Sequence, residues 1–250
     1  MGLVNLAMQG ELDLTIVIPC FNEEESLPLL GEDIETVTKK SRIQFILVDN
    51  GSTDGTFRAM QSSLCSNGMV QLVRLNLNQG YGGGILFGLE HARTRLVGWM
   101  HADMQTRPQE LLSISLPDNG DFFFKGQRFG RSLSDKVFTS GMSWLETVLF
   151  RTRLFDINAQ PTIFPRKYLD HWKPLPTDFS LDLHTYVSAR RDELPILRSP
   201  VRFGVRVKGR SSWNDGLRSR IKFIRRTFNY SMQLRRGINA NHQAPREHSC

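Results

Sequence analysis

Four short strand-like segments punctuate the first hundred positions: the apolar, β-branched runs Leu14–Ile18 and Phe45–Val48, then Val70–Leu75 and Leu96–Met100. Continuous apolar runs of this length suit strands buried on both faces, as in a parallel sheet. Amphipathic stretches alternate with them. Residues Glu23–Lys40 place Leu27, Leu30, Ile34 and Val37 on one helical face, and Thr56–Cys65 and Ile85–Thr94 also read as helices. Strand–helix alternation at this pace predicts an α/β domain with a mostly parallel central sheet flanked by helices. A polar turn follows the runs: Pro19-Cys-Phe-Asn-Glu, Asp49-Asn-Gly-Ser-Thr-Asp-Gly, Gln79-Gly-Tyr-Gly-Gly-Gly and His101-Ala-Asp-Met-Gln. Ligands of open α/β sheets bind at the carboxyl ends of the strands. Asp49, Asp54, Gly80 and Asp103 are therefore expected around one cleft.

Beyond Asp121 the pattern is less regular. It predicts a strand at Phe122–Phe124, helices at Ser134–Phe150 and Leu181–Ala189, and a period-two strand at Val201–Val207. From Leu217 to Leu234 the spacing is helical again. Leu217, Ile221, Ile224, Phe228 and Met232 share one face, with Arg218, Lys222, Arg225 and Arg226 beside them. Phe223, Tyr230 and Leu234 form a second, narrower strip. The expected organisation is one domain over residues 11–213, a basic amphipathic helix over 214–238 and a polar tail over 239–250.

Charge changes the picture more than composition does. The net charge is +7, yet residues 198–236 hold 12 Lys or Arg against Asp215 alone, a local +11 that leaves −4 on the rest. Such asymmetry points to a polyanionic or membrane-surface partner. The basic helix could set its arginines against anionic headgroups, or it could be a packing helix with a solvated basic face. No stacking motif accompanies the charge, so nucleic acid is not an expected partner. No apolar run approaches the ~20 residues of a membrane span. The start, MGLVNLAMQGELDLT, lacks the features of a secretory signal. Cys20, Cys65 and Cys250 show no metal-type pairing and suit a reducing compartment. The expected location is cytoplasmic, either free or peripheral on the inner face of a membrane.

The glycines at Gly80, Gly82, Gly83 and Gly84 precede a helix and suit either a phosphate cradle or close helix–sheet packing. Their spacing matches neither a dinucleotide fingerprint nor a P-loop. Together, PCFNEEESL, FILVDNGSTDGT, NQGYGGGILFGLEHA and MHADMQTRP stand in the order and spacing of the family 2 glycosyltransferases, which the chain resembles over roughly residues 14–213. FKGQRF, FDINAQPTIFPRKYL and VRVKGRSSW are similar to later segments of the subgroup that contains dolichol-phosphate mannose synthase and bacterial polyprenyl-phosphate sugar transferases.

The resemblance implies a GT-A fold and an inverting hexosyl transfer. The donor would be a GDP- or UDP-sugar. The acceptor would be lipid-linked or a glycan, such as polyprenyl phosphate, in cell-surface polysaccharide or glycolipid synthesis. It implies that Pro19, Asn22, Glu23, Asp49 and Gly80 line the nucleotide site, and that Arg128 and Arg206 hold phosphates. Asp103 and Gln105 would organise a Mg²⁺ or Mn²⁺ ion that bridges the diphosphate. Asp156, Gln160 and Ser211 would lie near the acceptor or pyrophosphate.

Two positions depart from the family pattern. His101 stands where the first acid of an Asp-x-Asp pair is usual, and Ser212 where a Lys is usual. His101 is either a nitrogen ligand, which would favour Mn²⁺, or a contact to ribose or phosphate. Asp182 falls near the position of a general base, a group that a hydroxyl acceptor needs and an ionised phosphate does not; a helix-start acid is the other reading. Asp103, Asp182 and Arg128 are thus the residues expected to act in the reaction. A catalytically degenerate protein that binds sugar nucleotides or serves as a scaffold is the alternative.

Overall fold

The computed structural model describes residues 3–7, 13–118, 120–130, 133–204 and 228–235. Its core is a seven-stranded sheet of β2 (Leu14–Cys20), β3 (Gln44–Asn50), β4 (Val70–Leu75), β5 (Leu96–Trp99), β7 (Phe123–Phe129), β8 (Thr162–Pro165) and β9 (Ile196–Arg202). The order is β4-β3-β2-β5-β8-β7-β9. The first four strands are parallel, β8 runs antiparallel to both neighbours, and β9 is parallel to β7. Six strands thus point one way, and the mostly parallel sheet expected from the sequence is present. A separate two-stranded ribbon joins β1 (Leu3–Asn5) to β6 (Ser115–Pro117).

Alternating side chains of each strand feed two cores. Ile16 and Ile18 pack with Leu27, Leu30, Ile34 and Val37 of α1 (Leu27–Lys40) and with Met60 and Leu64 of α2 (Thr56–Leu64). Val17 points the other way, toward Ile85 and Leu89 of α3 (Gly80–His91) and Leu181 and Val187 of α6 (Leu181–Arg191). α4 (Leu133–Phe150) and the short α5 (Tyr168–His171) complete the helices named by element.

Several boundaries differ from the sequence expectation: β7 runs on to Phe129, and α1, α3 and β9 start elsewhere. α1 begins at Leu27 rather than Glu23, because Pro28 favours the first helical turn and Ser26 closes a turn onto the Glu23 carboxylate at 2.9 Å. α3 begins at Gly80, five residues before the apolar pattern starts. Its glycines are selected by contact: a Cβ on Gly82 would lie 2.6 Å from the Pro176 carbonyl oxygen, and one on Gly88 would lie 2.4 Å from Val17. β9 spans Ile196–Arg202 instead of starting at Val201. Residues 205–207, like most of the basic helix, lie outside the described residues.

The helical segment 228–235 shows how one of the two tail strips is used. Tyr230 and Leu234 pack against the second core, and the Tyr230 hydroxyl is 2.9 Å from His184 Nδ1. Ser231 donates to Glu146 of α4 at 2.8 Å. Phe228, from the other strip, is exposed. Glu146 is buried, its second oxygen has no partner, and burial raises its carboxyl to about 7. A folded-state value above the unfolded one means that the neutral acid favours folding. That contribution is full below about pH 4.3 and is lost as pH rises through about 7. Glu146→Gln should therefore melt about 2–4 °C above wild type at pH 8, with the gain vanishing near pH 4.5, as thermal unfolding across that range will read.

Candidate active site

The polar turns gather at the carboxyl edge of the parallel strands and are sewn together by side chain–backbone hydrogen bonds. Asn22 adopts φ 55° after β2, and its Oδ1 accepts from the Thr53 backbone N–H at 2.9 Å. The Glu23 N–H donates to Thr56 Oγ1 at 2.9 Å, and Gly55 N–H donates to Glu24 at 3.0 Å. Asp54 accepts from the Thr56 N–H at 3.0 Å, so it caps the start of α2. Asn50 ties the next loop in: it donates to the Gly80 carbonyl at 2.9 Å and accepts from the Gln79 N–H at 3.1 Å.

Asp49 lies at the centre of this wall and is fully buried. Its Oδ1 accepts from the Ser52 N–H at 3.0 Å. Arg74, its register partner on β4, brings Nε within 2.9 Å of Oδ2 and stacks over Phe57. The approach is charged but not aligned as a hydrogen bond, so Oδ2 keeps an unfilled lone pair. Beside it, Pro19 pairs with Val48 one residue before the end of β2, and Gly80 opens α3 at φ 80°.

The loop after β5 carries His101, Asp103 and Gln105. Asp103 accepts from the Gln105 N–H at 3.1 Å, and between them Met104 holds φ 61°. Left-handed backbone at a non-glycine residue costs ~1–3 kcal/mol and persists where surroundings enforce it. Here they do: Arg107 and Gln109 grip the buried Asp33 of α1, at 2.8 and 2.7 Å. Gly204, just after β9, donates to the Gln105 carbonyl at 2.7 Å. That contact brings the chain leading to Arg206 and Ser211 up to the Gln105 loop; those two residues lie outside the described residues.

Below the loop lies a buried polar cluster. Asp182, in the first turn of α6, accepts from Lys125 Nζ at 3.0 Å, Tyr81 OH at 2.9 Å, Trp99 Nε1 at 3.3 Å and Thr162 Oγ1 at 3.3 Å. Lys125 is fully buried and also donates to Thr162 at 2.9 Å. Burial lowers the Lys125 ammonium, and the Asp182 carboxylate works against that shift. Burial and then Asp182 push the Tyr81 phenol well up, so it stays a donor. Gln160 donates to Tyr81 OH at 2.7 Å, while its own Oε1 has no partner. The Tyr81 ring stacks on Phe179 at 4.5 Å and on His101 at 5.0 Å.

The placement of three sequence-derived candidates changes their reading. Asp182 is buried with its oxygens filled by donors, so it stands as the anchor of the cluster rather than as a cleft-facing proton acceptor. Arg128, at the same edge on β7, bonds Asp156 through its backbone N–H at 2.9 Å and its Nε at 2.8 Å, with Nη2 on the same carboxylate. Its guanidinium also lies over Phe203, and its side chain is only 11% exposed. Asp156 thus directs its carboxylate to Arg128. Lys125, Tyr81, Trp99 and Thr162 are site residues that the sequence reading missed. One signal was available: a lysine within the apolar run FFFKG requires a buried anionic partner.

Removing one member of a buried pair leaves the other uncompensated, at ~3–5 kcal/mol. Lys125→Met should lower stability by about that much in urea titration. Adding Asp182→Asn to it should recover part of the loss, because the remaining group is then neutral.

Comparison with known proteins closes the case for the family. A model described as Glycosyl transferase family 2 matches residues 15–160, more than half of the chain. Among curated relatives, dodecaprenyl-phosphate galacturonate synthase of Rhizobium johnstonii is 35% identical over 106 residues, covering 41% of this chain and 31% of that protein. The undecaprenyl-phosphate 4-deoxy-4-formamido-L-arabinose transferase of Pseudomonas fluorescens is 36% identical over 101 residues, 39% of this chain and 30% of its own. The chain therefore matches under a third of the length of these relatives. Mannosyl-3-phosphoglycerate synthase from Rubrobacter xylanophilus superimposes with a TM-score of 0.67 at 18% identity, over 96% of this chain and 78% of that one. Glucosyl-3-phosphoglycerate synthase from Mycobacterium tuberculosis, solved with Mn²⁺ and UDP-glucose, gives 0.64 at 18% identity, over 90% and 81%. At that identity the likeness is one of fold, and it is the GT-A fold that the motifs implied. The chain belongs to glycosyl transferase family 2.

Proposed function

We propose that the chain transfers a hexosyl group from a nucleotide-diphosphate sugar to a lipid-linked phosphate of the polyprenyl-phosphate kind, with inversion. The observation that carries the acceptor class is the state of Asp182. The carboxylate nearest to a general-base position is enclosed and matched to Lys125. A hydroxyl acceptor must shed a proton during attack, whereas a phosphate monoester attacks as an oxyanion. The two relatives named above act on prenyl phosphates by their names, which supports the same class.

In this reading Asp49 Oδ2 accepts a donor hydrogen from the base or ribose, and Pro19, Asn22 and Glu23 wall that end of the cleft. The start of α3, a helix of 12 residues, brings the positive end of its dipole toward the diphosphate, with the Gly80 N–H held by Asn78 Oδ1 at 2.7 Å and the Gly83 N–H by the Thr177 carbonyl at 2.8 Å. Arg128, fixed by Asp156, and Arg206 add positive charge. Gln160 and Ser211 stand on the acceptor side. The acceptor oxygen forms its bond to the anomeric carbon as the bond to the diphosphate breaks on the opposite face, and no proton need move.

The donor set suits a divalent cofactor. Among the described residues no cluster of three or more His, Cys, Asp or Glu exists. Mg²⁺ on a diphosphate commonly takes only one or two protein carboxylates, with phosphate and water supplying the rest. Asp103 with His101 fits that pattern, and Gln105 shapes the loop around Asp103. Bound there, Mg²⁺ or Mn²⁺ neutralises charge on the departing diphosphate. The Mn²⁺ in the fold relative named above supports this assignment.

Among the described residues no helix is long and apolar enough to cross a membrane. Trp144 and Val148 are nonetheless exposed on α4, the helix that receives Ser231, and Phe228 is exposed on the segment that carries Ser231. This apolar surface, next in sequence to the arginine-rich tail, supports peripheral contact with the cytoplasmic face of a membrane. The alternative, a sugar-nucleotide-binding scaffold, is motivated by the exchange of an acid for His101 and of a lysine for Ser212. Nucleotide-sugar binding without turnover on any lipid extract is the result that would establish it.

Asp103→Ala should reduce turnover by at least 10²-fold with Mn²⁺ present, the loss expected when charge stabilisation of the leaving group is removed. Polyprenyl phosphate should accept sugar and the matching polyprenol should not; equal rates on the two would refute the acceptor class. Asp49→Ala should raise KM for the donor about 10-fold, with kcat little changed, since it removes binding shared by ground and transition states.

A further inference from the structure

We infer that Tyr81 is a positioning residue for His101, holding the imidazole in one plane beside Asp103 so that it serves as the second protein donor to the divalent ion. The inference rests on the metal-assisted reading above and adds to it a residue which that reading does not use.

Tyr81 is constrained on three sides. Its hydroxyl donates to Asp182 at 2.9 Å and accepts from Gln160 at 2.7 Å, which fixes the far end of the ring. Phe179 covers one ring face, nearly coplanar at 2° and 4.5 Å between centroids. The backbone beneath is pinned as well: Gly83 N–H donates to the Thr177 carbonyl at 2.8 Å, and a Cβ on Gly82 would strike Pro176 and Asp178 carbonyl oxygens. A ring held this way cannot follow its neighbour. His101 is the neighbour that must conform, and it lies at 5.0 Å with an interplanar angle of 30°.

The consequence concerns orientation. A half-buried histidine on a loop has several staggered side-chain rotamers to choose from. The stack favours those that lay the imidazole along the tyrosine, two residues from Asp103. A ligand restricted in advance loses less freedom when it binds, and partners behind a metal ligand commonly alter affinity 10–100-fold when removed. The charge for this support comes from deeper still, because Lys125 keeps Asp182 an effective acceptor for the phenol.

The experiment is Mn²⁺ binding to the full-length protein with UDP or GDP present, followed by EPR of free Mn²⁺, alongside melting temperature for every variant. Tyr81→Leu should weaken Mn²⁺ binding about 10-fold and match His101→Ala. The double variant should be no weaker than His101→Ala alone. Tyr81→Phe keeps the ring but loses both hydrogen bonds, so it should melt lower yet stay within about 3-fold of wild-type affinity. A merely structural tyrosine would show the reverse order. Phe179→Leu, at the far side of the stack, should shift affinity in the same direction by a smaller factor and serves if Tyr81→Leu fails to fold. The preference for Mn²⁺ over Mg²⁺ should fall in Tyr81→Leu, since the nitrogen donor is what favours Mn²⁺. Wild-type affinity in Tyr81→Leu and Phe179→Leu, or losses that add to that of His101→Ala, would overturn the role of Tyr81 while Asp103→Ala still abolishes binding. Binding that Asp103→Ala leaves intact would bring down the metal reading and this inference together.

Discussion

Lys125 and Asp182 meet at 3.0 Å in the interior, with neither charge within reach of water. Taking two ions out of solvent costs several kcal/mol each even after relaxation. The cost is offset here by geometry. One carboxylate on α6 collects donors from β5, β7, β8 and α3: Trp99, Lys125, Thr162 and Tyr81. These elements are far apart in sequence. The pair therefore acts as a fastening point where the parallel half of the sheet, the antiparallel β8 and the helices of the second core are brought into one register. It also leaves both Asp182 oxygens occupied by donors from the protein itself.

The loops of the cleft depend on a second layer of such fastenings. Asn22, Asp54 and Asn50 satisfy backbone groups of their neighbours, and Arg107 with Gln109 closes on buried Asp33. Loops that bond to one another lose less freedom on binding than loops that bond to water. Asp49 is the exception that matters. Its Oδ2 is buried and short of a directed donor, and an N–H or O–H group entering the cleft is what would complete it.

Much of this was legible in the sequence, and the boundary of what was legible is physical. β2, β3 and β5 were readable because strands buried on both faces are written as apolar runs, while the half-buried β4 mixes Gln71 and Arg74 with its apolar residues. The motifs that follow them located the cleft by topology alone. The start of α3 was not readable: four glycines in five positions signal a loop, and the close approach of Pro176, Thr177 and Asp178 is what the helix start needs them for. Asp182 was placed correctly at a helix start, but its partner lies 57 residues away, and no local pattern announces that contact. Arg128 was expected to face phosphate, and its carboxylate partner Asp156 lies 28 residues on. Non-local partners decide whether a charged side chain is a reagent or a strut.

The packing of α3 limits how this protein can diversify. A Cβ on Gly82 would meet backbone carbonyl oxygens within 2.7 Å, and one on Gly88 would meet Val17 in the floor of the sheet at 2.4 Å. Backbone cannot step aside as a flexible side chain can, so even one added carbon at Gly82 would part the helix from its support. That side of the cleft is therefore closed to substitution. Variation is left to the exposed turns around Asn22 and Thr53, where a change of side chain leaves the frame standing.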